Sequence, residues 1–173
     1  MALYDTGTPA GQQMVAQLRA IHQELRRDLA AIQQAIGLLA EESADHAEVA
    51  ALINGLTVAD FAWQLRVNCD YYCLGVNRHH AIEDDAMLPV MRRRFPEELG
   101  AVVDRLSAEH HAVARLTTTT RRAAINLTAD AADIAELRQL LTDLGDHLLA
   151  HLDYEEASLF PYFLRMDTDW HYG

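Results

Sequence analysis

Cysteine is scarce, with two in 173 residues, Cys69 and Cys73. They sit four apart in a stretch that reads as helix, which fits neither a disulfide framework nor a common zinc spacing. They are expected as small buried apolar residues, with a redox role as the alternative. Proline is scarce too, at four residues, and the long intervals between glycines are rich in Ala, Leu, Arg, Glu and Gln, all good helix formers. The class is all-α. Positive charge is short: 14 Lys and Arg against 26 Asp and Glu leave a formal net charge of -12, which opposes phosphate backbones and anionic lipid. The basic runs Arg92–Arg94 and Arg121–Arg122 are too brief to reverse that. No apolar run reaches the roughly 18 residues of a membrane span, and Met1–Asp5 shows no charged segment leading into an apolar one. A soluble, cytoplasmic protein is expected, with neither nucleic acid nor membrane as partner. A glycine-rich phosphate loop, a nucleophile elbow and an appended signalling domain are also missing.

What is present is helical periodicity. A chain of this length fits a single domain, 1–173, with a core of about 10–165, a short N-terminal arm and a C-terminal tail. Thr8 and Pro9 read as a cap and first turn, after which Leu18, Ile21, Leu25, Leu29, Ile32, Ile36 and Leu39 recur in steps of three and four. A mixed polar connection, Glu41 to Gly55, ends in the turn pair Asn54-Gly55 and has room for a short helix of its own. Thr57 caps a second helix carrying Phe61, Leu65, Tyr72, Val76 and Val90, with Pro89 expected to loosen its last turns. Pro96 opens a third helix with Val103, Leu106, Val113 and Leu116; it fades near Asn126 after a weakly helical run, Thr117 to Thr120. The fourth begins near Asp130 and shows Leu137, Leu141, Leu144, Leu148 and Leu159. Four amphipathic helices predict an up-and-down four-helix bundle.

The stripes are interrupted where leucine belongs. His22 lies four after Leu18 and three before Leu25; His79 and Glu83 follow Tyr72 and Gly75 on one face; His110 lies four after Leu106; His151 and Glu155 follow Leu144 and Leu148. Burying imidazoles and carboxylates costs several kcal/mol unless something compensates, and a domain is stable by only about 5–15 kcal/mol. A pair of metal ions compensates: neutral imidazoles coordinate, and carboxylates cancel charge and bridge. The i,i+4 spacing stacks His over Glu, so both reach one cluster. The halves also match, as His79-x-x-x-Glu83 and His151-x-x-x-Glu155 each precede a proline by the same offset, at Pro89 and Pro161. Mixed imidazole and carboxylate donors suit iron or manganese better than structural zinc, and no glutamate has a histidine three residues on, which argues against a ferritin-like pattern.

The segments His79-His80-Ala81-Ile82-Glu83-Asp84 and His151 to Pro161 resemble the two hallmark segments of hemerythrin-like HHE domains, and Glu109-His110 resembles the family's third-helix motif. The resemblance runs from about His22 to Pro161. It implies a hemerythrin-like bundle with two non-haem iron ions, bridged by an oxo or hydroxo group. The implied ligands are His22, His79, Glu83, His110, His151 and Glu155, with Glu83 and Glu155 bridging. One departure stands out. Oxygen-carrying hemerythrins use five histidines, two of them one turn apart on the third helix, whereas Leu106 and Ala114 flank His110 here.

That departure weakens reversible oxygen carriage and favours reaction with a small oxidant. His147, one turn before His151, is expected either as an additional ligand or as support to one, and Tyr72 either lines the pocket or packs in the core. His80 and His111 are expected at the rim, while Asp84, Asp85 and Glu156 are expected in solvent or supporting ligands. Met87 is a poor ligand for ferric iron. His46 and His171 carry no assigned role. The function implied is binding or turnover of O2, H2O2 or NO, with peroxide or oxidative and nitrosative stress handling foremost. A catalytic version would be a di-iron oxidoreductase with catalase-like or oxygen-activating activity; the alternative is an oxygen or iron sensor acting through a partner.

Overall fold

The computed structural model describes residues 7–42, 58–128 and 130–168. They form α1 (Pro9–Glu42), α2 (Val58–Ile82), α3 (Leu88–Arg94), α4 (Pro96–Ile125) and α5 (Ala131–Phe163), with a π-helical turn, Glu83–Met87, between α2 and α3. Because α2, the π turn and α3 run on without a break, the bundle has four rods. Cross-contacts fix their directions: His22 and Arg26 face Glu156 and Asp153, His22 and Leu25 face His79 and Tyr72, Asn77 and Asp70 face Thr117 and Arg121, and Arg105 and Glu109 face Tyr154 and His151. Each neighbouring pair is therefore antiparallel, the up-and-down arrangement that the periodicity predicts. No described helix is long and apolar enough to cross a membrane.

Local chemistry sets the boundaries. The Gly11 N–H donates to Thr8 Oγ1 at 3.0 Å, capping α1, and the Ala132 N–H donates to Asp130 Oδ1 at 2.8 Å, capping α5. Pro96 takes the first turn of α4, where its missing N–H is harmless. The threonine run stays helical to Ile125, with Thr118 and Thr119 hydroxyls donating to carbonyls one turn back. Pro89 does loosen its rod: the Leu88 N–H donates to the Glu83 carbonyl, one residue beyond α spacing. A widened turn accommodates a ring that otherwise presses on the carbonyl four residues back. The polar connection after α1, Asn54-Gly55, Thr57, His46, His171 and the Phe61 side chain lie outside the described part.

Apolar residues form two clusters, one above and one below a polar layer. Leu29, Ile36, Leu65, Val76, Val113 and Leu144 belong to the first, and Met14, Leu18, Met87, Leu106, Leu159 and Phe160 to the second. Every rod thus changes from apolar to ionisable and back. Cys69 and Cys73 are free and buried in the first cluster, and burial pushes both thiols up to about 12, so they pack as apolar groups.

The start of α1 is pinned to the end of α5. Thr8 N–H donates to the Leu164 carbonyl at 3.0 Å, and a Cβ on Gly11 would press into the backbone of Phe163 and Leu164, lying 2.7 Å from the Leu164 Cα. At Gly37 a Cβ would meet nothing within 4 Å. Two alanine substitutions should therefore have opposite signs. Gly37→Ala should gain roughly 0.5–1 kcal/mol from helix propensity. Gly11→Ala should lose about 1–3 kcal/mol to overpacking, a fall of several degrees in Tm. Thermal melts of the two variants check this, and equal shifts would contradict the packing described.

Candidate metal centre

The polar layer draws on all four rods. His22 comes from α1, His79 and His80 from α2, Glu83 from the first residue of the π turn, His110 from α4, and His151 and Glu155 from α5. Their exposures run from 0% at His22 and Glu155 to 9% at His79. The rings touch: His80 stacks on His110 at 4.2 Å, with His151 edge-on to both at 5.0 and 4.7 Å, while His22 and His79 meet at 5.2 Å. Glu83 divides its oxygens, Oε1 lying 3.2 Å from His79 Nε2 and Oε2 lying 3.5 Å from His110 Nε2. Glu155 Oε2 lies 3.4 Å from His22 Nε2 and 3.8 Å from His151 Nε2.

These donors fall into two groups whose ligand atoms lie within 4.8 Å of one another. One is His80, Glu83, His110 and His151; the other is His22, His79, Glu83 and Glu155. Glu83 belongs to both. The structure brings together all six residues expected from the sequence and adds His80, which the sequence places at the rim. His80 is 3% exposed. Adjacent helical positions diverge by about 100 degrees, but a layer wide enough for two groups takes one imidazole on either side of the inward line. His79 and His80 straddle that line, one in each group. The imidazole count reaches five, with the fifth supplied by α2 where the oxygen carriers use the third helix.

His147 does not join. The inward stripe of α5 runs through Leu141, Leu144, Leu148, His151 and Glu155, which turns His147 to the surface, where Nδ1 is 2.8 Å from the Asp143 carbonyl. His111 likewise stays outside, its Nδ1 2.6 Å from the Ser107 carbonyl. Tyr72 is buried in the apolar cluster, and its hydroxyl donates to the Leu25 carbonyl at 3.1 Å.

Around the inner layer stands a ring of carboxylates. His22 Nδ1 is 2.9 Å from Glu156 Oε1, His110 Nδ1 is 2.9 Å from Asp84 Oδ1, and His151 Nδ1 is 3.0 Å from Glu109 Oε2. A proton held on Nδ1 of His22 and of His151, where the contact is a hydrogen bond, leaves the Nε2 lone pair facing inward. The carboxylates are anchored in turn: Arg26 donates to Glu156 and Asp153, both at 2.7 Å, Arg105 donates to Glu109 at 2.7 Å, and the Ser107 hydroxyl donates to Asp84 at 2.8 Å. Asp84 and Glu156 each directly follow a layer glutamate. An acidic residue beside a ligand was visible in the sequence; its target on another rod was not. Glu109 carried the same kind of signal, one residue before His110.

Burial, only partly offset by Glu155, pushes His79 down to about 4. Burial among His110 and His151 pushes His80 lower still, and burial together with His151 lowers His110. Burial and the neighbouring Glu155 raise Glu83 well above the usual carboxylate range. Burial also pushes at Glu155, but the close contact with His22 and the surrounding imidazoles outweigh it and hold that carboxyl low. At Glu109 the Arg105 and His151 hydrogen bonds outweigh burial in the same way.

The inward atoms are orphaned. Nε2 of His22, His79 and His151, both nitrogens of His80 and His110 and all four oxygens of Glu83 and Glu155 lack a hydrogen-bond partner among the described residues. A buried polar group left so costs about 1–3 kcal/mol. Neutral nitrogens and carboxylate oxygens converging without protons to share are a donor set for cations.

The family model described as the hemerythrin HHE cation binding domain matches residues 40–163, more than half of the chain. The chain belongs to this family. The matched part of the hemerythrin HHE domain holds six of the seven layer residues; His22 lies before it and joins through the geometry of α1. Comparison with curated proteins and with solved structures gives no significant match.

Two outcomes are expected of this hemerythrin HHE centre. Glu109→Ala and Glu156→Ala each remove the group that orients a layer histidine and should weaken metal binding about 10- to 100-fold, read by competition with a chelator; unaltered affinity would refute the orienting role. Without metal, the three depressed imidazoles take up protons in the unfolded chain near the ordinary 6.5 but not in the fold until about 4 at His79, so acidification through that window favours unfolding. Glu83 works oppositely, since its raised pKa favours the fold at low pH, but it is one group against three. The metal-free Tm should fall from pH 7 to pH about 4.5; calorimetry showing a flat profile would count against the buried neutral imidazoles.

Proposed function

We propose that the chain holds two iron ions, His80, Glu83, His110 and His151 serving one and His22, His79, Glu83 and Glu155 the other, and that it binds or turns over a small oxidant such as O2, H2O2 or NO. The observation that carries this reading is the pair of four-residue groups sharing one glutamate whose two oxygens face different groups. Imidazole and carboxylate donors without thiolate favour iron over structural zinc, and the two cysteines are protonated in the apolar cluster. Bound iron would supply the redox chemistry.

The chain's own groups do the rest. Glu156 and Glu109 keep the Nδ1 protons of His22 and His151 in place and their Nε2 lone pairs inward, and Asp84 stands against His110 Nδ1. The two apolar clusters exclude water from above and below. Donor chemistry differs between the groups, three imidazoles and one carboxylate against two and two. The carboxylate-rich group includes His79, the most exposed member of the layer, which favours it as the place where a small ligand meets the centre.

Purified protein reconstituted anaerobically should carry about two irons per chain, with near-ultraviolet charge-transfer absorption and a raised Tm. Elemental analysis with an optical spectrum decides it: colourless protein with under about half an equivalent would defeat the proposal. Glu83→Ala, which removes the shared carboxylate, should cost both ions. Oxygen evolution on adding peroxide would mark turnover, as opposed to binding alone.

A further inference from the structure

Three of the four seams between rods are closed at the level of the polar layer by imidazole–carboxylate contacts. His22 and Glu156 close α1 against α5, Asp84 and His110 close the π turn against α4, and Glu109 and His151 close α4 against α5. Among the described residues, no such contact spans α1 and α2. The residues flanking His22 are Ile21 and Gln23, so α1 has no acidic side chain in the place that Glu109 occupies beside His110.

The same seam opens into a groove of about 440 Å³ lined by Leu25, Ile32, Leu65, Asn68, Tyr72 and Gly75 among others. Its near end is one turn from the layer, since Leu25 is three residues after His22 and Gly75 four before His79; one turn is about 5.4 Å. Gly75 has no side chain to narrow it, and a Cβ there would meet nothing within 4 Å. Here too lies His79, with 9% exposure against 0–3% for the other six layer residues. Within the groove, the Tyr72 hydroxyl reaches across to the Leu25 carbonyl.

We infer that the α1–α2 groove is the access route by which a small molecule of a few atoms reaches the His22–His79 side of the layer, and that Gly75 sets its aperture. This inference rests on the metal reading above. A side chain at 75 would lean back along α2 toward Tyr72 and fill the groove without meeting a ligand atom. Leucine also has higher helix propensity than glycine, so the variant should fold.

The test compares Gly75→Leu with Gly37→Leu, which also adds a side chain in open space on a helix but away from the groove. With iron-loaded protein and azide as the probe, Gly75→Leu should slow binding about tenfold or more at unchanged iron content and final spectrum, while Gly37→Leu matches the parent. Equal rates for the two variants would overturn the inference. A second readout needs no metal: diethyl pyrocarbonate acylates an unprotonated imidazole nitrogen, and peptide mass mapping reports the rate at each histidine. Gly75→Leu should slow modification of His79 in the metal-free protein by a similar factor, and an unchanged rate would again overturn the route. Failure to load iron would defeat the metal reading alone, because the acylation rates still decide the route.

Discussion

The fold is organised around a liability, a dry layer of five imidazoles and two carboxylates between two apolar clusters. No hydrogen bond inside the layer satisfies its inward atoms, and the four oxygens cannot all carry charge side by side without cations. Everything adjacent is arranged to present those atoms inward. In a metal-free chain the layer is a store of unfavourable desolvation; with cations it becomes the point at which all four rods are tied together. Binding energy and folding energy are then the same quantity.

Charge alternates outward from the layer. Neutral imidazoles are gripped by carboxylates, and these by Arg26, Arg105 and Ser107 on the surface. The alternation explains why a strongly acidic chain places several acidic residues close to a carboxylate pair: Glu156 and Glu109 are neutralised from outside and spend their second lone pairs on Nδ1–H. It also gives each supported histidine one tautomer. Among the described residues no carboxylate outside the layer contacts His79 or His80, so their orientation depends on their neighbours within it.

Much of this was legible in sequence because helical periodicity carries direction. His22, His110 and His151 stood in for leucine at known positions of a stripe, so their inward course followed from spacing alone. His80 was not legible, because a one-dimensional stripe assigns a single inward residue per turn and takes no account of how wide the interior is. His147 failed for a related reason: it keeps i,i+4 register with His151 yet falls off a stripe that drifts around the rod, as 3.6 residues per turn require. The targets of Asp84, Glu109 and Glu156 depend on which rods are neighbours, and only the assembled bundle supplies that.

The two halves look alike in letters, each with histidine, glutamate and proline at equal offsets, but they differ in pitch. On α5 the helix passes through Pro161 with ordinary turns, whereas the chain between Glu83 and Met87 carries one residue more per turn. An extra residue rotates everything after it, so Met87 and Leu88 are both buried and Pro89 sits partly inside where Pro161 is exposed. The segments are therefore not interchangeable parts. Transplanting the His151–Pro161 stretch into the place of His79–Pro89 would preserve the motif and yet swing the following helix off its neighbour.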